Sequence, residues 1–212
     1  MARARFGTDE AGKGDYFGPL VVAGVAVRDD ADEAVVAALG ARDSKELTDR
    51  RADDLADKIT RALPAGKVVI GPGRYNDLYS RLGNLNLILA WAHARVLEDL
   101  AAAHPTIRYA VADKFGDESY ITRALMAHGR RLDLDQRVKG EADLAVAAAS
   151  IVARAEFLRR LNRLSAAAGL RLPKGAAAQV DEAGRRLVAM RGAEVLTRYA
   201  KVHFRNTARV LS

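Results

Sequence analysis

Two short apolar runs near the N-terminus place the strongest constraint on the fold. Phe6–Asp9 and Leu20–Val27 have the composition of strands, and glycine and proline flank the second run. The segment GKGDYFGP between them, residues 12–19, is rich in turn-forming residues and has the length of a connection between neighbouring antiparallel strands. The two runs therefore predict a sheet that begins with an antiparallel pair.

Strand and helix patterns alternate after this pair. Further strands are predicted at 67–71, 107–112 and 130–138, and helices at 48–59, 84–100, 118–127, 141–164, 180–190 and 193–200. Such alternation is typical of an α/β sheet flanked by helices. We expect a single domain over residues 1–212, in which about 165–212 form a helical C-terminal extension. The alanine-rich stretch AVAAASIVA (145–153) predicts that another element approaches the long helix closely.

Composition excludes several classes of function. The 212 residues include no cysteine, so disulfides, thiolate nucleophiles and zinc–thiolate sites are ruled out. The N-terminus lacks the apolar run of a signal peptide, and no stretch of eighteen apolar residues occurs. We therefore expect a cytoplasmic protein that has no membrane partner.

Positive charge is concentrated in the last part of the chain. Residues 154–212 carry 13 Lys and Arg against 4 Asp and Glu, a net charge of +9, whereas the whole chain carries +7. This distribution indicates a polyanionic partner, such as a nucleic acid or a membrane surface. A solvated basic surface without a partner accounts for the charge equally well.

Four carboxylates occupy positions at which α/β proteins bind ligands. Asp9 and Glu10 end the first strand, Asp113 ends a later strand, and Glu141 begins the long predicted helix. Ligands gather at the carboxyl ends of strands, although neighbouring strand residues face one site only if the chain bends after them. Clustered carboxylates repel one another, which favours a hard cation such as Mg²⁺ or Mn²⁺. A pair of such ions can activate water for phosphodiester hydrolysis.

Each acid taken alone also has a structural interpretation. Asp113 could cap the next helix, Glu141 suits a helix N-terminus electrostatically, and Asp9 and Glu10 could form an exposed turn. Asp143 is a rival to Glu141, but two residues further along a helix it points to a different face. Spacing by itself leaves these alternatives open.

The segment DEAGKGDYFGPL (9–20) resembles the opening motif of prokaryotic type 2 ribonucleases H. The motifs continue in the family's order with DSKEL (43–47), YNDLYSRLGNLNLILAWAHARVLEDL (75–100), VADKFG (111–116), KGEADLAVAAASIVAR (139–154), PKGA (173–176) and AKVHFRNT (200–207). Within the group the chain is most similar to ribonuclease HIII, since GKG stands where ribonuclease HII usually has an arginine. The NLN segment (84–86) and the acid of KGE (139–141) also fit HIII.

The resemblance implies a ribonuclease H-like fold, with a five-stranded mixed sheet flanked by helices. It also implies that Asp9, Glu10, Asp113 and Glu141 are the catalytic, metal-binding carboxylates. Ribonuclease HIII usually carries an N-terminal substrate-binding domain similar to the TATA-box-binding protein. Only eight residues precede Asp9 here, so we expect that domain to be absent or removed.

Substrate contacts are expected from several neutral and basic residues. A glycine pair around a lysine lets backbone N–H groups approach a phosphate or a 2′-hydroxyl, and the resemblance implies this role for the GKG segment. The candidate substrate-binding residues are Gly12, Lys13, Gly14, Ser44, Lys45, Asn84 and Asn86. Asn84 could instead cap its helix. His93 is expected to be packed, and the role of His203 stays open.

The function expected is that of a metal-dependent endonuclease, active as a monomer on the RNA strand of RNA–DNA hybrids. Lys13 is a flexible point charge rather than a planar fork, so cleavage should be efficient within runs of ribonucleotides and poor at a lone one. Alternatives are an HII-like enzyme that cuts at single ribonucleotides in DNA, a non-catalytic nucleic-acid-binding domain on the same fold, or a transposase- or resolvase-like DNA nuclease.

Overall fold

A computed structural model describes residues 3–41 and 47–212. Its sheet has five strands in the order β3-β2-β1-β4-β5, with bounds β1 Arg5–Ala11, β2 Leu20–Val27, β3 Ala65–Ile70, β4 Tyr109–Asp113 and β5 Asp133–Arg137. β1 pairs with β4 and β4 with β5 in parallel. Only residues 12–19 connect the neighbours β1 and β2, which is too short for a parallel crossover. The expected mixed sheet is confirmed.

Nine helices accompany the sheet in the described ranges: α1 Asp30–Ala38, α2 Asp49–Ala62, α3 Pro72–Leu82, α4 Leu85–Ala103, α5 Ser119–Ala124, α6 Leu144–Ala168, α7 Ala178–Arg191, α8 Leu196–Tyr199 and α9 Arg205–Leu211. Three of them, α1, α3 and α9, match no individual helix predicted from the sequence, although α9 lies within the predicted helical C-terminal extension. No helix within the described ranges is both long and apolar enough to cross a membrane.

The chain divides into two compact units. The first unit comprises the described parts of Met1–Glu10, Val22–Val68 and Leu85–Ala155. Its core includes the buried strands and the first half of α6. A Cβ on Gly7 in β1 would overlap the backbone of Ala145 and Val146 in α6. The predicted close approach to the alanine-rich helix is therefore confirmed, and it requires glycine in the strand.

The second unit comprises Ala11–Val21, Val69–Asn84 and Glu156–Ser212. It contains the connection between β1 and β2, the helix α3, the second half of α6 and the helices α7 to α9. Phe17 forms an isolated antiparallel bridge with Ala200. The connection is thus attached to the C-terminal part of the chain by backbone pairing.

Candidate active site

Asp9 and Asp113 lie at the carboxyl ends of neighbouring parallel strands. The register pairs Phe6 with Ala110 and Thr8 with Ala112. One further step along both strands brings Asp9 level with Asp113. The sheet therefore places these two acids at the same edge, as the sequence predicts.

Glu10 lies on the opposite face of β1 from Asp9. The Asp9 carboxylate is hydrogen-bonded to Ser150 in α6, whereas a Glu10 carboxylate oxygen lies 3.3 Å from Nε2 of His93 in α4. This is the ordinary alternation of a strand, because β1 continues as far as Ala11. The two acids therefore share the end of the strand but lie on different faces of it.

Glu141 follows a tight turn that is tied to Asp113. It lies in a 3₁₀ turn, Gly140–Ala142, and the Gly140 N–H donates to Oδ1 of Asp113 at 2.8 Å. Lys139 before it adopts a left-handed conformation with φ of 59°, which costs free energy for a residue with a side chain. The strained turn brings Gly140 to within contact distance of Asp113.

The expectation that Glu141 begins the long helix is wrong. α6 begins at Leu144, because the Asp143 carboxylate accepts a hydrogen bond from the Ala145 N–H at 2.8 Å and so caps the helix. The same carboxylate accepts a hydrogen bond from Nε of Arg5 at 2.7 Å. Asp143 therefore has a structural role at the helix start, and it is not a competitor for the role of Glu141.

His93 connects β1 to α4 and orients Glu10. Its side chain is fully buried, with Nδ1 2.9 Å from Oγ1 of Thr8 and its ring stacked on Phe115. An ionised Glu10 can only accept a hydrogen bond, so Nε2 of His93 is the donor to it. The expectation that His93 is packed is confirmed, and its contact with a candidate catalytic acid is an addition.

Burial and mutual repulsion destabilise the ionised acids. Burial and the neighbouring charges of Glu10 and Asp113 raise the pKa of Asp9 to about 7. Burial also raises the pKa of Asp113, to which the charges of Glu10 and Glu141 contribute, against the hydrogen bond from Gly140. A cation among these groups would relieve the repulsion and favour the ionised forms.

The oxygen donors suit a hard divalent ion, but their side chains do not form a closed ligand cage. No group of three or more His, Asp or Glu residues within 3–41 and 47–212 is arranged to hold a metal ion by itself. Buried carboxylates that repel one another fit a hard divalent ion such as Mg²⁺, which usually binds through one or two carboxylates and keeps several waters.

The residues between the first two strands form a loop, here termed the glycine loop (12–19). Gly12 has φ of 85°, and a Cβ on it would collide with the carbonyl oxygen of Pro19 and lie 2.8 Å from the ring of Phe157. Gly14 has no such constraint: it is exposed, and nothing lies within 4 Å of the position of a Cβ. The internal structure therefore explains the first glycine and leaves the second unexplained.

A sequence profile decides the family. The profile described as Ribonuclease HII matches residues 6–207.

The chain belongs to the ribonuclease HII family.

Its relatives within this family are named ribonuclease HIII. Ribonuclease HIII of Chlamydia caviae is 39% identical over 204 residues, covering 96% of this chain and 68% of that protein. The Chlamydia pneumoniae protein is 36% identical over 211 residues, covering 99% and 71%. The sequence is thus similar to proteins named ribonuclease HIII, as the motifs predict.

Solved structures agree with this placement. The chain matches the crystal structure of Bst-RNase HIII in complex with Mn²⁺ with a TM-score of 0.90 and 38% identity, covering 99% of this chain and 69% of that one. The ribonuclease H2 of Pyrococcus horikoshii OT3 has a TM-score of 0.80 at 20% identity, with coverage of 98% and 96%. The second match supports the fold alone.

The remaining predicted substrate residues of this family member have different surroundings. Asn86 lies in the first turn of α4, and its side chain lies against Gly116, shortly after Asp113. Asn84 precedes α4 and is partly buried. Ser44 and Lys45 lie outside the described residues. The structure therefore brings Asn86 near the loop that follows a candidate catalytic acid.

Two residues of the C-terminal motif AKVHFRNT have surroundings that the sequence did not indicate. His203 is exposed, and its ring stacks on Tyr79 with a centroid separation of 3.9 Å. Lys201 is fully buried. Burial lowers the pKa of Lys201 to about 7, partly offset by the charge of Asp15. A lysine within a motif was a weak signal, because nothing in the sequence shows which lysines point inward.

Proposed function

We propose that this chain is an endonuclease that hydrolyses the RNA strand of RNA–DNA hybrids in the manner of ribonuclease HIII. The observation that carries the proposal is the set of four carboxylates at the ends of β1 and β4 and in the turn after β5, within a chain that matches its family over 6–207. A non-catalytic domain on the same fold has no need for repelling buried acids. Domain number, monomeric state and cytoplasmic location stay predictions.

Asp9, Glu10, Asp113 and Glu141 would hold Mg²⁺ or Mn²⁺. When bound, two such ions activate water and stabilise the charge on the leaving oxygen of a phosphodiester. One structural relative, Bst-RNase HIII, was crystallised in complex with Mn²⁺, which supports this choice of metal. Thiolate chemistry is excluded because the chain has no cysteine.

The protein groups around the acids fix their positions. His93 lies within hydrogen-bonding distance of both Thr8 and Glu10, which fixes the ring and the carboxylate together. The Gly140 N–H holds Asp113. In this proposal the acids bear the chemistry, and these neighbours hold the acids in a productive geometry.

The glycine loop would recognise the RNA strand. Gly14 is exposed and open although no internal contact requires a glycine there. A missing side chain at an open position lets a ligand approach the backbone closely. A 2′-hydroxyl distinguishes RNA from DNA and bonds readily to backbone groups, so Gly12, Lys13 and Gly14 supply the contact that selects ribonucleotides. Asn84 and Asn86, with Ser44 and Lys45, are the further candidates for sugar and phosphate contacts.

The test is a set of three labelled duplexes incubated with Mg²⁺ and then with Mn²⁺: one with four consecutive ribonucleotides, one with a single ribonucleotide, and one of DNA alone. We expect cleavage of the first, poor cleavage of the second and none of the third. Equal rates on the first two in Mg²⁺ would favour the HII-like activity. Cleavage of the DNA duplex would contradict the ribonuclease H assignment.

A further inference from the structure

The C-terminal motif, Ala200–Thr207, has no part in the chemistry proposed above, yet it contains the most deeply buried charged side chain in the described part of the chain. Lys201 has a relative exposure of 0%. Burial of an ammonium group costs several kcal/mol unless hydrogen bonds compensate. An apolar side chain would avoid that cost, so the presence of lysine calls for an explanation in what its Nζ atom binds.

The Lys201 side chain bridges two backbone carbonyls of the glycine loop. Nζ donates to the carbonyl oxygen of Asp15 at 2.7 Å and to that of Gly18 at 2.8 Å. An ammonium group has three hydrogens and a neutral amine has two, so both bonds persist in either protonation state. One side chain thus fixes the distance across residues 15–18.

Backbone groups close to Lys201 complete the attachment of the loop. The Lys201 N–H donates to the carbonyl oxygen of Tyr16 at 2.8 Å, and the Gly18 N–H donates to that of Tyr199 at 3.0 Å. The Tyr16 hydroxyl lies 3.1 Å from that of Thr207. The loop is therefore held from one side along residues 15–18.

The motif PKGA (173–176) holds the same segment from another direction. The Tyr16 N–H donates to the carbonyl oxygen of Gly175 at 2.9 Å, and the Gly175 N–H donates to the Asp15 carboxylate at 2.6 Å. In contrast, Gly14 stands exposed with no atom near its Cβ position. Residues 15–18 are fixed, and the position just before them is left open.

We propose that Lys201 is a positioning residue that acts on substrate binding through the glycine loop. By binding the carbonyl oxygens of Asp15 and Gly18, it holds the backbone at Lys13 and Gly14 in a conformation that can bind the ribonucleotide strand. The proposal rests on the proposed function, because it assigns Lys201 to the recognition step of that reaction. Its effect is on substrate affinity and on the choice of RNA over DNA. The chemical step at the carboxylates does not depend on it.

The test compares Lys201→Met with Val210→Ala in the full chain. Val210 in α9 is buried against Gly184 in α7, so its truncation reports general destabilisation. We expect Lys201→Met to remove both Nζ hydrogen bonds and to raise KM for an RNA–DNA hybrid by about tenfold, the effect of losing one hydrogen bond between the misplaced loop backbone and the substrate, with kcat unchanged. Amide hydrogen exchange at Tyr16 and Gly18 should accelerate. Val210→Ala should lower the melting temperature and leave KM and both amides unchanged.

Chemical rescue separates positioning from general packing. Because the chain has no cysteine, the thiol of Lys201→Cys is unique, and alkylation with 2-bromoethylamine in the unfolded state restores an ammonium group of nearly the same length. We expect the refolded, aminoethylated protein to regain the KM of wild-type protein taken through the same cycle. An alkylated protein that keeps the high KM would overturn the proposal, as would an unchanged KM in Lys201→Met.

The proposal stays testable if Lys201→Met does not fold or if the wild-type protein does not cleave the hybrid. If Lys201→Met does not fold, Thr207→Val removes the hydroxyl that lies 3.1 Å from that of Tyr16. It should raise KM by a smaller factor, and an unchanged KM would count against the proposal. If wild-type protein does not cleave the hybrid, the proposed function fails. The exchange rates of Tyr16 and Gly18 then still show whether Lys201 fixes the loop.

Discussion

At the ends of β1 and β4, acidic side chains are buried beside one another, whereas the glycine loop is held by hydrogen bonds from the Lys201 side chain and from neighbouring backbone groups. Burial and neighbouring charges raise the pKa of Asp9 and of Asp113, so these two acids ionise less readily than exposed carboxylic acids. In the second region the carbonyls of Asp15 and Gly18 have donors, and only Gly14 stands open. The first region is suited to binding a cation, and the second is suited to presenting a rigid surface to a ligand.

This difference implies that the acids serve the chemical step and that the glycine loop serves substrate recognition. A group of acids that needs a cation contributes little to the fold, and its loss should affect the chemical step. The glycine loop is already held by hydrogen bonds within the protein and takes no part in the chemical step. Substitutions in it should therefore affect substrate binding. Variants in the two regions should therefore differ in which kinetic constant they change.

The largest effect is expected for the acids. Asp9→Asn and Asp113→Asn should abolish cleavage of an RNA–DNA hybrid, because an amide carries no negative charge and offers a divalent ion one neutral oxygen donor in place of two anionic ones. Hybrid binding measured by fluorescence anisotropy should stay close to wild type. Any rise in melting temperature that Mg²⁺ produces in the wild-type protein should be lost. Wild-type turnover in either variant would contradict the site.

A smaller loss of turnover is expected at His93. His93→Leu should lower kcat by about 10- to 100-fold, the usual effect of removing a group that orients a metal ligand, with little change in KM. His93→Gln retains an N–H that can reach Glu10 and should recover part of the loss. Equal activity of the two variants and the wild type would mean that His93 only fills the core.

The two glycines of the loop provide a matched pair. Gly14→Val should raise KM by about tenfold through lost backbone contact, without changing the melting temperature, because its Cβ position is open. Gly12→Val should destabilise the fold itself, since φ is 85° and the Cβ collides with the Pro19 carbonyl. A Gly14→Val protein with wild-type KM would remove the glycine loop from the substrate interface.

A modest effect on salt dependence is expected at Arg163. This exposed residue and Arg160 line a pocket of about 340 Å³ in the second unit, and Arg160 is ion-paired with Glu156 at 2.7 Å. If Arg163 contacts a phosphate, Arg163→Gln should reduce the slope of log affinity against log salt by about 0.9. Arg185→Gln, which removes a charge from α7, is the control. An unchanged slope would assign Arg163 to the solvated surface.

The smallest effect is one of pH on stability. The pKa of Lys201 is about 7 in the folded protein and 10.5 in its ordinary state, because burial outweighs the charge of Asp15. Unfolding therefore takes up a proton between pH 7 and 10.5, so this group makes the free energy of unfolding rise with pH in that window and contributes no pH dependence below it. Urea denaturation should show that the free energy of unfolding of the wild type, relative to that of Lys201→Met, is higher at pH 9 than at pH 7 by about 1 kcal/mol or more. A constant difference would contradict the burial of the ammonium group.

The sequence predicts the sheet and the positions of the acids well, because both depend on local patterns and ordered motifs. The apolar runs before Asp9 and Asp113 place both acids near the carboxyl ends of their strands, and the parallel register then sets them level. α3 was missed although Pro72 begins it and Gly83 ends it in a left-handed conformation, which are recognised helix signals. The start of α6 was misplaced because Asp143 caps it, and a cap two residues after Glu141 looks like a continuation of helix.

Other features depend on contacts that a sequence does not reveal. His93 meets Thr8 and Glu10 across 85 and 83 positions, and Lys201 meets Asp15 across 186. In each case a residue that looks ordinary in its own helix or motif acquires its role from a distant partner. Burial of Lys201 is also contrary to the usual preference of lysine for solvent, so sequence rules place it on the surface.

Single-turnover cleavage of an RNA–DNA hybrid by saturating enzyme in Mg²⁺ tests most directly whether the acids serve the chemical step and the loop serves recognition. The proteins compared are wild type, Asp113→Asn and Gly14→Val. Saturation removes differences in affinity, so only the chemical step is observed. We predict that Gly14→Val cleaves at the wild-type rate and that Asp113→Asn does not cleave. A wild-type rate in Asp113→Asn, or an equal loss in both variants, would contradict the assignment of chemistry to the acids and recognition to the loop.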